Sequence, residues 1–181
     1  VSLILLQKLI STIFLPALSE IARTAPERLE AVYYKIRLRV DLLSMMSAGF
    51  IFSTASLIIN FLYDARYADA GWMLQILSLT VVTAGMLLAD QCFIVECSPK
   101  IVTFISFLHV IILYVVTSVS YYFYGIYGAL IAVAIVPILR AIIVMYVMKK
   151  YLFLNLKKEF IAVPVFFIGL LLGEVVNKIM L

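Results

Sequence analysis

Long apolar runs alternate with short polar connections along almost the whole chain. Five runs have the length of one membrane crossing, which needs about 20 mostly apolar residues. They cover about Leu42–Leu62, Trp72–Val95, Ile101–Tyr122, Ile126–Met148 and Phe160–Leu181. A sixth, partial run extends from Val1 to Leu15 and is closed by Pro16. Since open strands cannot satisfy their backbone in lipid, the pattern predicts an all-α fold. We expect residues 1–181 to form a single polytopic transmembrane helix bundle, with about five full spans and a partial one at the N-terminus.

Composition points to the bilayer as the solvent of this chain. Of the 181 residues, 66% are hydrophobic and 13% are charged, whereas soluble domains have about 45–50% apolar and about 25% charged residues. The mean hydropathy of +1.17 agrees with this. The basic residues form short clusters between the apolar runs and no basic face interleaved with aromatics, so nucleic acid is not a predicted partner.

Basic residues are concentrated in alternate connections, and this distribution predicts the orientation of the chain in the membrane. Segment 20–39 holds five of them, loop 96–100 one and loop 149–158 four, while loop 63–71 holds one and the turn at 124–125 none. Basic loops stay in the cytoplasm. We therefore predict that 20–39 and 149–158 are cytoplasmic. Tyrosines and a tryptophan cluster at the opposite ends, as in the aromatic belt of a membrane interface.

Segment 20–39 combines its charges with an apolar stripe at helical spacing. The stripe consists of Leu29, Val32, Tyr33, Ile36 and Val40. Thr24 and Glu27 have the spacing of a capping box, which predicts that a helix begins there. The pattern indicates either a short amphipathic helix with its basic face near anionic membrane lipids or an ordinary connector between spans.

A G-x-x-x-G pattern marks the last apolar run. Gly169 and Gly173 lie one helical turn apart and permit close helix contact. We expect this contact within the chain rather than in a dimer.

Three charged residues inside the apolar runs are the leading site candidates. An ionised group at mid-bilayer costs roughly 2.5–3.5 kcal/mol, so such residues usually face a cavity or a partner. From a helical rise of about 1.5 Å per residue, Lys8, Asp90 and Arg140 lie roughly 9–13 Å from the predicted cytoplasmic ends of three helices. This predicts a polar cavity open toward the cytoplasm. In the alternative, Asp90 and Arg140 only neutralise each other, and Lys8 extends to the surface.

Further polar residues extend this predicted cavity. Thr83 and Gln91 share one helical face with Asp90, and both are cavity candidates. His109 is the only histidine and is a candidate proton relay, or it forms a hydrogen bond to a neighbouring helix. The sequence contains no metal-binding motif, phosphate loop or nucleophile elbow, so we predict no cofactor, no metal and no enzyme activity.

Three stretches resemble a known family. Residues 15–21 (LPALSEI) close an apolar run and lead into a basic amphipathic segment. Residues 57–77 hold an apolar run ending in NFLY, followed by RY and LQIL, and residues 124–129 (YGIYGA) open the next helix. In this collinear order they resemble the polysaccharide-transporter (O-antigen flippase) branch of the multidrug/oligosaccharidyl-lipid/polysaccharide exporter superfamily.

The resemblance implies the C-terminal lobe of a two-lobe flippase in a bacterial or archaeal plasma membrane. The chain would be a fragment of a larger transporter whose N-terminal lobe is missing here. Its substrate would be a polyprenyl-diphosphate-linked oligosaccharide for lipopolysaccharide O-antigen or another surface polysaccharide, and a polysaccharide polymerase is a further expected partner. Lys8 and Arg140 would attract diphosphate or acidic sugar, and Asp90 would couple a proton or ion. These roles follow from depth and charge, because the family motifs do not include the three residues.

Two other functions remain open at this point. A drug or metabolite exporter of the same superfamily would have a cavity rich in acids and aromatics. A non-transporting membrane subunit of a polysaccharide assembly machine would lack a first lobe.

Overall fold

A computed structural model describes residues 15–67, 69–97, 99–151, 155, 158–159 and 161–180. Within these residues the chain is helical with no β-strand, which confirms the predicted all-α class. The α-helices are α1 (Leu15–Thr24), α2 (Leu29–Leu62), α3 (Ala70–Ser78), α4 (Met86–Cys92), α5 (Pro99–Tyr151) and α6 (Val163–Met180). Short 3-10 segments cover Pro26–Arg28, Ala65–Tyr67 and Leu79–Thr83, and a π-helical turn covers Phe93–Cys97.

Three helical segments in the described part of the chain have the length and apolar composition to cross a membrane. They are Leu29–Leu62, Ala70–Glu96 and Pro99–Tyr151. The second, Ala70–Glu96, contains α3, the 3-10 segment Leu79–Thr83, α4 and most of the π turn, and we call it the broken helix. The three segments support a membrane protein.

Helix α5 reverses its direction at Gly125. With 53 residues, a straight helix would be about 80 Å long, far more than the roughly 30 Å of a hydrocarbon core. Gly125 has φ 60° and ψ −146°, a backbone conformation that is essentially limited to glycine. One turn later, a Cβ on Gly128 would overlap the carbonyl oxygen of Ser120, because the chain has folded back there.

The two arms of α5, 99–124 and 126–151, therefore run antiparallel. Far from the turn, Ile105 of the first arm and Ile143 of the second line the same small cavity. The arms coincide with two of the predicted apolar runs.

Helices α2 and α6 pack in parallel with their backbones in close contact. A Cβ on Gly49 of α2 or on Gly169 of α6 would overlap a backbone oxygen of the other helix, and one on Gly173 would lie 2.6 Å from Ser53 Cβ. Beyond these glycines, Asn177 Nδ2 donates to the Ser53 carbonyl at 2.8 Å. The G-x-x-x-G pattern thus serves packing within the chain.

The connections that carry basic residues meet at one end of the bundle. The Asn155 N–H donates to Tyr34 Oη at 2.7 Å, and Lys158 Nζ lies 3.4 Å from a Glu30 carboxylate oxygen. Residues of α1 and of the π turn line a shared groove at this end. At the other end, the ring of Trp72 stacks on that of Tyr127, with centroids 4.3 Å apart.

Segment 20–39 differs from its prediction in how it is divided. Helix α1 continues to Thr24, whose hydroxyl donates to the Glu20 carbonyl at 2.8 Å, so Thr24 ends a helix and does not cap the start of one. Pro16 lies within the described part of α1, and the run Val1–Leu15 that it was predicted to close lies outside the described residues except for Leu15. Helix α2 then runs without interruption from Leu29 to Leu62, so the second half of segment 20–39 belongs to a helix of membrane-crossing length. Its buried residues Leu29 and Tyr33 face the protein core.

Candidate functional site

The broken helix is irregular where it faces the rest of the bundle. Its 3-10 segment Leu79–Thr83 follows α3, and its π turn Phe93–Cys97 follows α4. The hydroxyls of Thr80 and Thr83 each donate to a carbonyl three residues earlier. Irregular backbone inside a membrane segment is tolerated where it is buried in protein or lines a cavity, and π turns frequently occur at functional sites.

A cavity of about 550 Å³ lies between the broken helix and the arms of α5. We call it the Asp90 cavity. Its polar lining residues are Thr80, Thr83, Asp90, Gln91, Ser106, His109 and Arg140. The structure therefore brings together every predicted site candidate that it describes, and Lys8 lies outside the described residues.

Asp90 and Arg140 form an ion pair in the cavity wall. Arg140 Nη2 donates to Asp90 Oδ2 at 2.6 Å, and the two side chains are 16% and 10% exposed. A cavity lined by Asp90 and Arg140 and an ion pair between them thus occur together. The second carboxylate oxygen, Asp90 Oδ1, is buried and accepts no hydrogen bond from the described residues.

His109 lines the same cavity from the first arm of α5. Its Nδ1 atom is buried and has no hydrogen-bond partner in the described part of the chain. The expected hydrogen bond to a neighbouring helix is therefore not made through this nitrogen. His109 is placed with Arg140 around a second, smaller cavity, so the imidazole and the guanidinium are near neighbours.

A second charged site, which sequence reasoning missed, lies behind the broken helix. In this Arg37 cluster, Arg37 Nε donates to Asp41 Oδ2 at 3.1 Å, and Arg37 Nη2 lies 2.5 Å from Glu159 Oε2. The side chains of Arg37, Asp41 and Glu159 are only 4%, 6% and 0% exposed. The spacing of Arg37 and Asp41, one helical turn apart, was the signal available in the sequence.

The Arg37 cluster is held by neighbours from several elements. Arg37 Nη1 donates to Tyr33 Oη, and Arg37 Nη2 lies 3.3 Å from Met86 Sδ. Asp41 Oδ1 is pressed against Gly85, where a Cβ would overlap it. Gly85 lies between the 3-10 segment and α4, so the cluster touches the broken helix at its interruption.

Glu159 is the least satisfied member of the cluster. Its Oε1 atom is buried without a hydrogen-bond partner among the described residues, and the short contact of Oε2 to Arg37 lacks hydrogen-bond directionality, so it is an ion pair only. Burial raises the pKa of Glu159; the Arg37 guanidinium opposes this, and the nearby Asp41 carboxylate adds to the rise.

Comparisons with known proteins assign no family to the chain. No family model matches it, and neither a curated protein nor a solved structure is significantly similar to it.

Proposed function

We propose that this chain is part of a membrane flippase that moves polyprenyl-diphosphate-linked oligosaccharide from the inner to the outer leaflet by alternating access. The observation that carries the proposal is the Asp90 cavity, in which an arginine and an aspartate line a space beside the broken helix. The substrate class comes from the resemblance of residues 15–21, 57–77 and 124–129 to the polysaccharide transporters.

The ion pair suggests how an anionic substrate would be handled. Arginine binds phosphate oxygens through paired N–H donors, but in the cavity Asp90 already occupies Arg140. A diphosphate that binds the paired donors of Arg140, including Nη2, would displace the Asp90 carboxylate. The released carboxylate would then be free to take up a proton or cation, which links substrate binding to a coupling ion.

The proposal includes the wider setting of the chain. We place about five spans in the plasma membrane, with loops 20–39 and 149–158 in the cytoplasm, and we expect a first lobe from the same protein to complete the transport path. Membrane lipids and a polysaccharide polymerase are the expected partners. The chain would act without a cofactor and without catalysing a chemical reaction.

The test uses the full-length parent protein in its host. Deleting the gene should remove surface polysaccharide while lipid-linked oligosaccharide accumulates on the inner leaflet. A complementing copy with Arg140→Ala should fail to restore export, Arg140→Lys should restore it in part, and Arg39→Ala is the matched control because Arg39 is exposed. Normal surface polysaccharide in the deletion strain would rule out the flippase.

A drug or metabolite exporter is the second candidate. It is favoured by the unpartnered Asp90 Oδ1, which would accept a hydrogen bond from an organic cation. In that case Asp90→Asn would abolish efflux of cationic dyes, and deletion would leave surface polysaccharide unchanged.

A further inference from the structure

The Arg37 cluster contains more negative than positive charge. Asp41 and Glu159 each carry one negative charge when ionised, and Arg37 carries one positive charge. We propose that the cluster is a buried proton-binding site, which retains one proton at neutral pH, and that Glu159 holds this proton. The proposal does not depend on what the Asp90 cavity carries.

Among the residues that the structure describes, the neighbouring elements supply no second cation. Tyr33 from α2 and Cys92 from α4 approach the cluster, and neither a phenol nor a thiol can carry a positive charge. Met86 and Met148 present only thioether sulfur. Lys158 lies beside Glu159 in sequence, but its ammonium group is half exposed and pairs with Glu30. Within the described residues, one negative charge therefore remains without compensation if both carboxylates ionise.

An uncompensated charge in a dry interior is removed most easily by protonation. Its burial costs a large free energy, and buried carboxyl groups usually bind a proton instead. Arginine keeps its charge in proteins, so the proton must reside on a carboxylate.

Glu159 is the better proton carrier of the two carboxylates. Asp41 accepts a well-directed hydrogen bond from Arg37 Nε, which favours its ionised form. Glu159 has one buried oxygen with no partner among the described residues and one that forms only an undirected ion pair. The anionic form of Glu159 is therefore the less stabilised.

A proton fits this site better than a metal ion. The guanidinium of Arg37 contacts both carboxylates, so a metal cation between them would be repelled by it. In addition, no three His, Cys, Asp or Glu residues of the described chain are grouped to hold a metal.

The position of the site connects it to the Asp90 cavity. Asp41 rests on Gly85, and the residues on either side, Ala84 and Met86, line the cavity. Loss of the proton would leave a net negative charge on the Arg37 cluster, which touches the interruption of the broken helix through Asp41.

Infrared spectroscopy of the full chain in lipid bilayers at pH 7 tests the proposal. A protonated carboxyl group gives a C=O stretching band that shifts in D2O. We expect this band in the unaltered chain, and we expect it to disappear both in Glu159→Gln and in Asp41→Asn, because either substitution removes the excess charge. Arg37→Lys keeps the charge count and should keep the band. Exposed Glu174 supplies the matched control, Glu174→Gln.

Each outcome has a defined meaning, provided that circular dichroism shows unchanged helix content in the variants. Loss of the band in both single variants supports the site. Absence of the band from the unaltered chain overturns the proposal. A band that appears only when sodium is left out of the buffer also overturns it, because a sodium ion would then occupy the site in place of the proton. A band that survives both substitutions comes from another residue, such as Asp90, and also overturns it. A band lost in Glu159→Gln but kept in Asp41→Asn would contradict the charge-balance origin of the proton.

Discussion

At the scale of single residues, the absence of a side chain at Gly85 decides how the charged cluster meets the broken helix. Asp41 Oδ1 occupies the space that a Cβ on Gly85 would need. Asp41 in turn positions Arg37, whose guanidinium extends to Glu159. The lack of a side chain at Gly85 thus allows the Asp41 carboxylate to pack directly against the backbone of the broken helix.

Substitution of Gly85 tests this close approach. We expect Gly85→Ala to destabilise the protein by roughly 1–3 kcal/mol, the usual cost of overpacking, measured by thermal unfolding in detergent. In an Asp41→Ala background the same substitution should cost much less, because the clashing carboxylate is gone. An equal cost in both backgrounds would show that the two residues do not interact.

The pH dependence of stability tests the environment of Glu159. Burial raises the folded-state pKa of Glu159 above its ordinary value of 4.5. The stabilisation from such a group is fully present below the unfolded-state pKa and is lost as the pH rises through the folded-state pKa. We therefore expect the unfolding temperature to fall as the pH rises above about 4.5, with a smaller fall in Glu159→Gln. Identical slopes in Glu159→Gln and in the unaltered chain would contradict this assignment, and Glu174→Gln should keep the original slope.

The sequence identified one of the two charged sites and missed the other. Asp90 and Arg140 were recognisable because a charge inside a long apolar run is rare. Arg37 and Glu159 lie at the ends of such runs, where charges are common and usually solvated. Their burial results from contacts between distant parts of the chain, which bring Met86 and Glu159 onto Arg37 and which no local pattern contains.

At the scale of elements, the reversal within α5 depends on a single residue. Gly125 alone provides the turn between two arms, and the structure has no other residue with positive φ in the described ranges. The apolar runs before and after it were recognisable in the sequence, so the arms were predicted. The tightness of the turn was not predicted. In the structure, helical backbone continues up to Gly125 on both sides.

Replacement of Gly125 should weaken the hairpin. We expect Gly125→Ala to destabilise the protein by about 1–3 kcal/mol, because a residue with a Cβ is strained at this φ and ψ. No neighbouring atom would obstruct the added methyl group, so the cost would come from the backbone alone. Chemical unfolding followed by circular dichroism measures it, with the exposed Ser118→Ala on the same arm as control. Equal stability of both variants would argue against the strained turn.

The interruptions of the broken helix are the element-scale feature that sequence reasoning did not find. Residues 79–83 read LTVVT and continue the apolar run without Gly or Pro. The departure from α-helix is therefore set by neighbours, including Asp41 against Gly85 and the threonine hydroxyls that satisfy nearby carbonyls. Such tertiary causes leave no periodicity to detect.

At the scale of the whole molecule, the contacts divide the connections between two ends. The basic connections share one end, and the aromatic ones share the other. The charge count in the sequence predicted this division, because alternate loops of a membrane bundle must lie on the same side. The parallel packing of α2 and α6 agrees with it, since three successively antiparallel segments, the broken helix and the two arms of α5, lie between them along the chain.

Cysteine accessibility tests the arrangement in cells. Exposed positions at each end are replaced by cysteine in a Cys92→Ser, Cys97→Ser background and treated with a membrane-impermeant maleimide. The positions are Lys35 and Lys150 at the basic end, and Asp64 and Tyr124 at the aromatic end. We expect labelling of the aromatic end in intact cells and of the basic end only after lysis.

The labelling positions at the two ends also serve as controls for each other. Labelling that differs between Lys35→Cys and Lys150→Cys would contradict the shared end in the structure. Labelling of both basic positions from outside would instead reverse the proposed orientation and leave the fold intact.

The stacking of Trp72 on Tyr127 gives the molecule a built-in optical reporter. Trp72 is the only tryptophan of the chain, so its fluorescence comes from a single position on the broken helix. The ring rests on the second arm of α5, just past its turn. Any motion that separates the broken helix from α5 would expose the indole to water and shift its emission to longer wavelengths. The emission of an unlabelled sample, recorded after a rapid pH jump or on addition of substrate, can thus reveal whether a structural change at the basic end alters the packing of Trp72 at the aromatic end.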